Sequence, residues 1–457
     1  MRSDTAAIVL AAGKGTRFRS EVAKVLHRAA GRSLLGHVLE AVRPLELAQT
    51  VVVVGHQAED VEAEIARIGL PGATTVLQAE QRGTGHAVQQ AVPALGPDVR
   101  RVLILPGDTP MLPPAVLEQL LAADSAGGAM LTAVMDDPAG YGRVVRSAAG
   151  AVQRVVEHRD ASPEELAIAE INAGMYALDR AGLEAALGRL GDDNAQGEIY
   201  LTDIVELLGA QGAPVAAVDA DPVAIGGVND RAQLAEAAAV LRSAHLDHLM
   251  REVGVSVTDP AATYVDVDVE VARDAVLLPG TILETGTRVG PGAVIGPHSH
   301  LIACTVGQGA TVHSTRAIEA TIGAHATVGP YTHLRVGTHL GADTKVGAFA
   351  ETKNAHVGDG SKIPHLAYVG DATIGTGVNI ACGVITVNYD GSTKSHTTVE
   401  DGAFVGCDTM LVAPVTIGEG AYTAAGSTIT DDVPAGALGI ARSRQTTKEG
   451  WAERRRG

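Results

Sequence analysis

A chain of 457 residues is longer than one ordinary hydrophobic core supports, so two domains are expected. With 46% hydrophobic and 19% charged residues it reads as globular throughout, and a formal net charge of -18 argues against a nucleic-acid partner. Three cysteines, Cys304, Cys382 and Cys407, are too few and too scattered for a disulfide framework or a cysteine zinc site. No apolar run approaches the ~20 residues of a membrane span, and the apolar run 6–12 ends in Gly13-Lys14-Gly15 rather than a cleavage site, so a cytoplasmic protein is expected. An anionic small substrate stays open, because a local cluster of Lys and Arg or a metal ion overrides the global sign.

In chain order, residues 5–12 predict a buried strand and 13–17 a Gly-rich turn leading into a helix. Further strands are expected at 51–55 (VVVVG) and 101–105 (RVLIL), with helical patterns at 34–42 and 58–68. Continuously apolar strands alternating with helices predict βαβ units around a parallel sheet, with a ligand outside the carboxyl ends of the strands. Residues 141–145, 153–157 and 171–178 read as strands extending that sheet, and 232–251 as a connecting helix.

Near Thr258 the texture changes. An aliphatic residue recurs about every sixth position, usually followed by a small one, as in Val328, Leu334, Leu340 and Val346, then Val357, Ile363 and Val369 after a one-residue slip. Ile374, Ile380 and Thr386 continue the count, and Val399, Val405, Leu411, Ile417, Thr423 and Ile429 carry it to the end. Each hexapeptide would form a short strand with its aliphatic residue inward, while Gly, Asn or Asp turns the chain to the next face. Three faces close a coil, and coils stack on their neighbours. Only 3% aromatics and 54 glycines suit so narrow a column.

Two loops at the predicted strand ends carry the first chemistry. LAAGKGTR (10–17) fails the dinucleotide fingerprint and lacks the GK[ST] of a P-loop. Its glycines still let backbone N–H groups approach phosphate oxygens, and Lys14, Arg17 and nearby Lys24 supply charge. Asp108 follows a buried strand, where a hard cation bridging phosphates needs one or two oxygen ligands; a turn or helix cap is the plainer role. Gln78, Gly83 and Thr84 carry an amide and a Gly-rich backbone able to meet a base edge, and Gly142, Glu157 and Asn172 sit where sugar hydroxyls could be held.

In the repeat region the rhythm slips around 352–355 and near Thr373, and is interrupted at 387–398 by a loop containing Asn388-Tyr389-Asp390-Gly391. Arg335, Lys353, His365 and Tyr368 lie close by in the sequence. Acyl transfer to an amine needs a base, an oxyanion donor and cations for phosphates. His365 is the natural base, with Glu351 to orient it.

The strings LAAGKGTR, Lys24-Val-Leu-His, VLQAEQRGTGHA, Gly-Asp108, Tyr141-Gly-Arg, VEHRDA, Glu170-Ile-Asn-Ala-Gly and Gly227-Val-Asn-Asp together resemble a sugar-phosphate nucleotidyltransferase. With the repeats, the whole chain resembles the bacterial bifunctional N-acetylglucosamine-1-phosphate uridyltransferase and glucosamine-1-phosphate acetyltransferase family. The resemblance implies an α/β fold: a Rossmann-like nucleotidyltransferase domain (1–230), a linker helix (231–251), a left-handed parallel β-helix (252–438) and a tail (439–457). It implies that Leu10, Ala11, Ala12, Gly13, Lys14, Gln78, Gly83, Thr84, Gly142, Glu157, Asn172 and Asn229 bind UTP and the UDP-sugar. Arg17 and Lys24 would act at the reacting phosphates, and Asp108 and Asn229 would hold Mg²⁺. Arg335, Lys353, Tyr368, Asn379 and Asn388 would bind glucosamine-1-phosphate. The string Ser361-Lys-Ile-Pro-His365-Leu-Ala-Tyr368 carries the base.

Cys382, Asn388, Tyr389, Cys407, Ala425 and Arg442 would meet acetyl-CoA. Cys407 stands where a Ser is usual, and Cys382 interrupts a small Gly-Ala-Gly run, so a route through an acyl-cysteine is conceivable beside the plainer reading of small buried hydrophobes. The segment Gln445-Thr-Thr-Lys448-Glu-Gly-Trp451 implies an arm reaching a neighbouring subunit of a homotrimer, while Arg454–Arg456 read as a solvated end. Two other readings remain. One keeps only the nucleotidyltransferase and makes the repeats a trimerisation scaffold. The other makes the repeats a zinc enzyme using His298, His300, His313, His325 and His333.

Overall fold

The computed structural model describes residues 2–123 and 125–456 and divides into two compact units, Met1–Leu241 and Arg242–Gly457. Among the described residues no helix is long and apolar enough to cross a membrane.

In the first unit, strands Arg2–Leu10, Leu47–Val54, Ala73–Leu77 and Arg101–Pro106 run parallel. Leu47–Val54 lies on one side of the first strand and Arg101–Pro106 on the other, so the order of the sheet reverses there. Glu170–Asp179 pairs antiparallel with Arg101–Pro106 and with Gly128–Val134, and Ala216–Asp219 closes the far edge. The sheet is therefore mixed, with one antiparallel strand inside it. The central strands are apolar on both faces because both are covered. Ala7, Val9, Val52, Val54, Leu103 and Leu105 pack with Leu35, Val38 and Leu39 of helix Leu34–Val42. Ala6, Ile8, Val51, Val53, Val102 and Ile104 pack with Val88, Leu183 and Ile204 on the other side.

One local expectation, the helix after the Gly-rich turn, needs correction. The Gly-rich turn does not lead into an α-helix but into a single 3₁₀ turn, Thr16–Phe18, and the first α-helix begins at Leu34 under a Ser33 cap. Left-handed φ values at Gly15 and Arg19 stop the turn from propagating. The connecting helix spans Arg231–His248 and passes into a π-helical turn, Leu249–Val253, before Gly254 at left-handed φ ends it.

The second unit is a parallel β-helix built from the hexapeptide repeats, the left-handed form the resemblance implies. The coil begins at Ser256–Val257. Each strand pairs with the strand one coil on: Tyr264–Val265 with Ile282–Leu283, Glu270–Val271 with Arg288–Val289, Val276–Leu277 with Val294–Ile295. The inward positions named in the sequence are all buried, from Val328 through Ile429. Thr352 fills the inward slot between Val346 and Val357, fully buried with its hydroxyl on Thr338 at 2.9 Å, so the slip at 352–357 is a shortened turn rather than a missing strand.

Buried Thr and Ser next to the corners tie coil to coil, as Thr332 does by donating to the Gly347 carbonyl at 2.8 Å and Ser361 to that of Gly375 at 2.6 Å. Residues at left-handed φ form columns at the corners: His325, Asp343, Gly360 and Gly377 in one, Asn354 and Asp371 in another. In a third column, Tyr331, Phe349 and Leu366 are bulky, sit at φ 58°, 59° and 48°, and are 65%, 60% and 59% exposed.

Coil spacing leaves no room for a side chain at some positions. A Cβ on Gly347 would lie 2.0 Å from the Pro364 carbonyl oxygen of the next coil. Gly347→Ala is expected to cost about 1–3 kcal/mol through this overlap and to lower the melting temperature of the second unit, read by calorimetry.

Candidate functional site

Because the sheet order reverses beside the first strand, Leu10 and Pro106 end in register and their loops emerge together. Gly107 N–H donates to the Leu10 carbonyl at 2.9 Å and Ala11 N–H to that of Val53 at 2.9 Å, which holds both loops against the strand ends. They open on a cleft of about 650 Å³ lined by Leu10–Thr16, Lys24, Gln78, Gly83, Thr84, Asp108, Glu157 and Asn172, among others. That volume suits a nucleotide-sized ligand.

Gly15 decides the loop's geometry. Its φ is +58°, and a Cβ there would lie 2.6 Å from the Cβ of Lys24, so only glycine lets Lys24 pack across the turn. Gly13 has nothing within 4 Å of its missing side chain. Both glycines of this loop were singled out in the sequence; Gly15 is the one packed against Lys24. Lys24 in turn forms an ion pair with Asp108, both largely shielded. Arg17 donates to the Asn229 side-chain oxygen at 2.8 Å, an exposed contact. Val228 N–H donates to the Asp108 carbonyl at 2.9 Å, and a Cβ on Gly227 would lie 3.8 Å from Asp108 Oδ1 and 3.9 Å from Asn229 Nδ2. Asp108 and Asn229 therefore flank Gly227 beside the Gly-rich loop, the Asp108 carboxylate paired with Lys24 and the Asn229 oxygen with Arg17.

At the other end of the cleft, strands Arg143–Arg146 and Val152–Val156 form a hairpin in which Arg143 opposes Val156, so Gly142 and Glu157 adjoin. A Cβ on Gly142 would sit 3.7 Å from Glu157 Oε2, and Asn172 N–H donates to the Gly142 carbonyl at 2.9 Å. A register break between Asn172 and Tyr176, with Gly174 at φ 71°, turns Asn172 toward the cleft, and its amide donates to the buried Tyr176 hydroxyl at 2.8 Å. Thr202, a residue the sequence did not single out, donates to Glu157 at 3.1 Å. Gly174, Tyr176 and Glu198 were also missed, and their signal is spatial.

In the second unit the proposed acetyl-site residues divide between faces. Arg335, Lys353 and Tyr368 lie on or beside strands of the seventeen-stranded sheet, whereas Asn379 and His365 belong to strands of the eleven-stranded one. His365 is exposed and ends strand Lys362–His365 at the corner before Tyr368. The Glu351 carboxylate, expected to orient it, accepts from Arg335 at 2.8 Å, the two sitting one coil apart on the outward face of one side. The inserted loop folds back through a bridge between Tyr389 and Lys394, and Asp390 caps its turn by accepting from Ser392 and Thr393 N–H at 2.8 and 2.6 Å.

This brings Lys394, which the sequence reading did not name, onto Lys353, whose ammonium is pushed below its usual range by that neighbour. Burial opposes ionisation of Asp371, yet hydrogen bonds from Asn354 (2.7 Å) and Asn388 (2.5 Å) and the ammonium groups of Lys394 and Lys353 keep its carboxyl below the usual range. Cys382, Cys407 and Ala425 stack in one corner column, since Asp408 N–H donates to the Cys382 carbonyl and Gly426 N–H to that of Cys407, both at 2.8 Å. Arg442 lies exposed in the tail, which ends in helix Trp451–Arg456 with the Arg455 guanidinium 5.2 Å from the Trp451 ring centre.

The histidines of the zinc reading stay apart. His298 is a left-handed turn residue packed over Gly280, not a strand-face partner of His300, which instead meets Glu284 at 2.6 Å; His325 packs over Gly309 in another corner. Among the described residues no group of three or more His, Cys, Asp or Glu is arranged around a metal-sized point.

Burial raises the Glu157 carboxyl above its usual range; the Thr202 hydroxyl opposes the shift and the carboxylates of Asp203, Asp160 and Glu198 add to it. As pH rises, the folded state therefore releases this proton later than the unfolded chain does, and stability falls across that window. Glu157→Gln is expected to melt a few degrees above the parent at neutral pH, with the difference vanishing below the ordinary carboxyl range, as read by thermal melts at both pH values.

The MobA-like NTP transferase domain family matches residues 7–199, and the bacterial transferase hexapeptide (six repeats) family matches residues 396–431. Over its whole length the chain is similar to the bifunctional protein GlmU of Thermobifida fusca (strain YX), with 53% identity over 459 residues covering 99% of this chain and 94% of that protein. It is 51% identical to the bifunctional protein GlmU of Streptomyces avermitilis over 99% of this chain and 94% of the relative, and 47% identical to that of Brevibacillus brevis over 98% and 97%. With both units present and the similarity running from end to end, the chain belongs to the GlmU family of bifunctional enzymes, which join a sugar-phosphate uridyltransferase to a hexapeptide-repeat acetyltransferase and so make UDP-N-acetylglucosamine.

Proposed function

We propose that residues 1–230 carry the uridyl transfer and residues 252–438 the acetyl transfer, that the helix at 231–251 links them, and that the product supplies cell-envelope synthesis in the cytoplasm. The observation that carries the first assignment is the Lys24–Asp108 ion pair across Gly15 at the mouth of the cleft. The oxygen of N-acetylglucosamine-1-phosphate attacks the α-phosphorus of UTP in line; the new P–O bond forms as the bond to pyrophosphate breaks. No protein nucleophile is needed, and catalysis rests on positioning and charge neutralisation. Lys14, Arg17 and Lys24 meet the phosphates, Gln78, Gly83 and Thr84 the base, and Gly142, Glu157, Asn172 and Asn229 the sugars. Mg²⁺ held by Asp108 and Asn229 would neutralise charge on the transferring phosphates.

In the second unit the amine of glucosamine-1-phosphate attacks the thioester carbonyl of acetyl-CoA. His365 takes the proton from the attacking amine and returns it to the departing thiolate, so the amide forms as the C–S bond breaks. Lys353 and Lys394 crowd two ammonium groups together, an arrangement a phosphate relieves. Arg335, Tyr368 and Asn379 complete the sugar site, and Asn388, Tyr389, Cys382, Cys407, Ala425 and Arg442 the coenzyme site. Since these residues divide between faces of one column, the site is completed by a neighbouring copy in a homotrimer, to which the tail at 439–457 contributes. The exposed column of Tyr331, Phe349 and Leu366 offers apolar surface for that packing.

Asp108→Ala is expected to lower uridyl transfer at least about a thousandfold while sparing acetyl transfer, through loss of charge neutralisation at the phosphates. His365→Ala is expected to do the reverse by at least about a hundredfold, the usual contribution of a general base. Assays feeding glucosamine-1-phosphate, acetyl-CoA, UTP and Mg²⁺, omitting one component at a time, read both activities. Full acetyl transfer in His365→Ala would leave the column a scaffold. Phe349→Asp is expected to weaken the trimer, measured by sedimentation.

A further inference from the structure

Gln78 is 3% exposed, yet it borders the cleft where the base is proposed to lie. Its backbone N–H is fixed to the Val54 carbonyl at 2.8 Å. Its side-chain Nε2 lies 3.1 Å from the Gly83 carbonyl oxygen and 3.0 Å from His86 Nδ1. His86 Nε2 in turn lies 3.2 Å from Gln90 Nε2, one helical turn further along Thr84–Ala91.

Only one assignment of hydrogens satisfies all these contacts. The Gly83 carbonyl only accepts, so the nitrogen end of the Gln78 amide faces it. The second hydrogen of that nitrogen points at His86 Nδ1, which must then carry a lone pair. The ring proton of neutral His86 is therefore on Nε2, and the Gln90 amide, whose oxygen and nitrogen ends exchange by a half-turn, is assigned with its oxygen toward that proton. Both N–H groups of Gln78 are consumed, and the one group it has left to offer is its carbonyl oxygen.

A side chain reduced to an acceptor discriminates between pyrimidines. Uracil presents N3–H, a donor; cytosine in the same pose presents the N3 lone pair, which would face another lone pair. A buried polar group left without a partner is what makes such discrimination steep.

We propose that His86 is a positioning residue which, through its Nε2–H tautomer, locks the Gln78 amide so that the cleft admits uracil nucleotides and refuses cytosine ones. This rests on the reading that Gln78 meets the base. The substrate never touches His86; the selection passes through one amide.

The test measures kcat and KM for UTP and CTP in the full-length protein and its variants. His86→Leu and His86→Gln remove the acceptor at the Nδ1 position, and each is expected to lower the UTP-over-CTP ratio of kcat/KM by about tenfold, mostly through KM, by leaving a buried N–H unpaired. His86→Asn keeps an acceptor where Nδ1 stood and is expected to retain the parent ratio. Acetyl transfer per mole of chain, together with the melting temperature, confirms that each variant is folded. A parent ratio in both His86→Leu and His86→Gln, beside a collapsed ratio in Gln78→Leu, overturns the role of His86 and leaves the base pocket standing. An unchanged ratio in Gln78→Leu removes the base pocket itself, and the inference with it.

Discussion

Backbone hydrogen bonds between successive coils hold equivalent positions about 4.8 Å apart, and nearly everything in the second unit follows from that spacing. An inward aliphatic residue rests on its equivalent one coil on, so the column has one continuous core from Val265 to Ile429. Corner residues stack in the same way, which is why Gly, Asn, Asp and His recur at left-handed φ and why Gly347 has no space for a methyl group. The spacing also determines chemistry. Glu351 lies one coil from Arg335 and takes its guanidinium, while the inserted loop, too long to stay in the column, folds Lys394 back onto Lys353.

In the first unit the corresponding constraint is the reversal of strand order beside Arg2–Leu10. It leaves two strand ends side by side with no connection passing over them, so loops distant in sequence share one opening. Lys24 packs against Gly15, where a side chain would strike it, and pairs with Asp108. The antiparallel strand Glu170–Asp179 adds the other end of the cleft by breaking register at Asn172. The two ends differ in electrostatics: Lys14, Arg17 and Lys24 gather at the Gly-rich loop, while burial and neighbouring carboxylates raise the proton affinity of Glu157.

Much of this was legible in the chain. Helices Leu34–Val42 and Ala58–Ile68 lie where their apolar spacing puts them, and the six-residue rhythm names buried positions one by one, because a period reports directly which side chains share a face. The strings around Lys24, Gln78, Asp108 and Glu157 marked one cleft. Resemblance assigned them roles; the fold brings them to a common opening.

The residues alone determined which positions face inward, where the column is interrupted, and which side chains have the chemistry for phosphates, sugars and an amine, since these depend on side-chain type and local periodicity. Only tertiary structure decided that Gly15 is the glycine packed against Lys24, that the Glu351 carboxylate meets Arg335, and that the Gln78 amide nitrogen lies within reach of both the Gly83 carbonyl and His86. Each of these turns on atoms that meet across strands, coils or loops. Distance and hydrogen-bond direction between such atoms follow from how the elements pack, and no period in the sequence carries them.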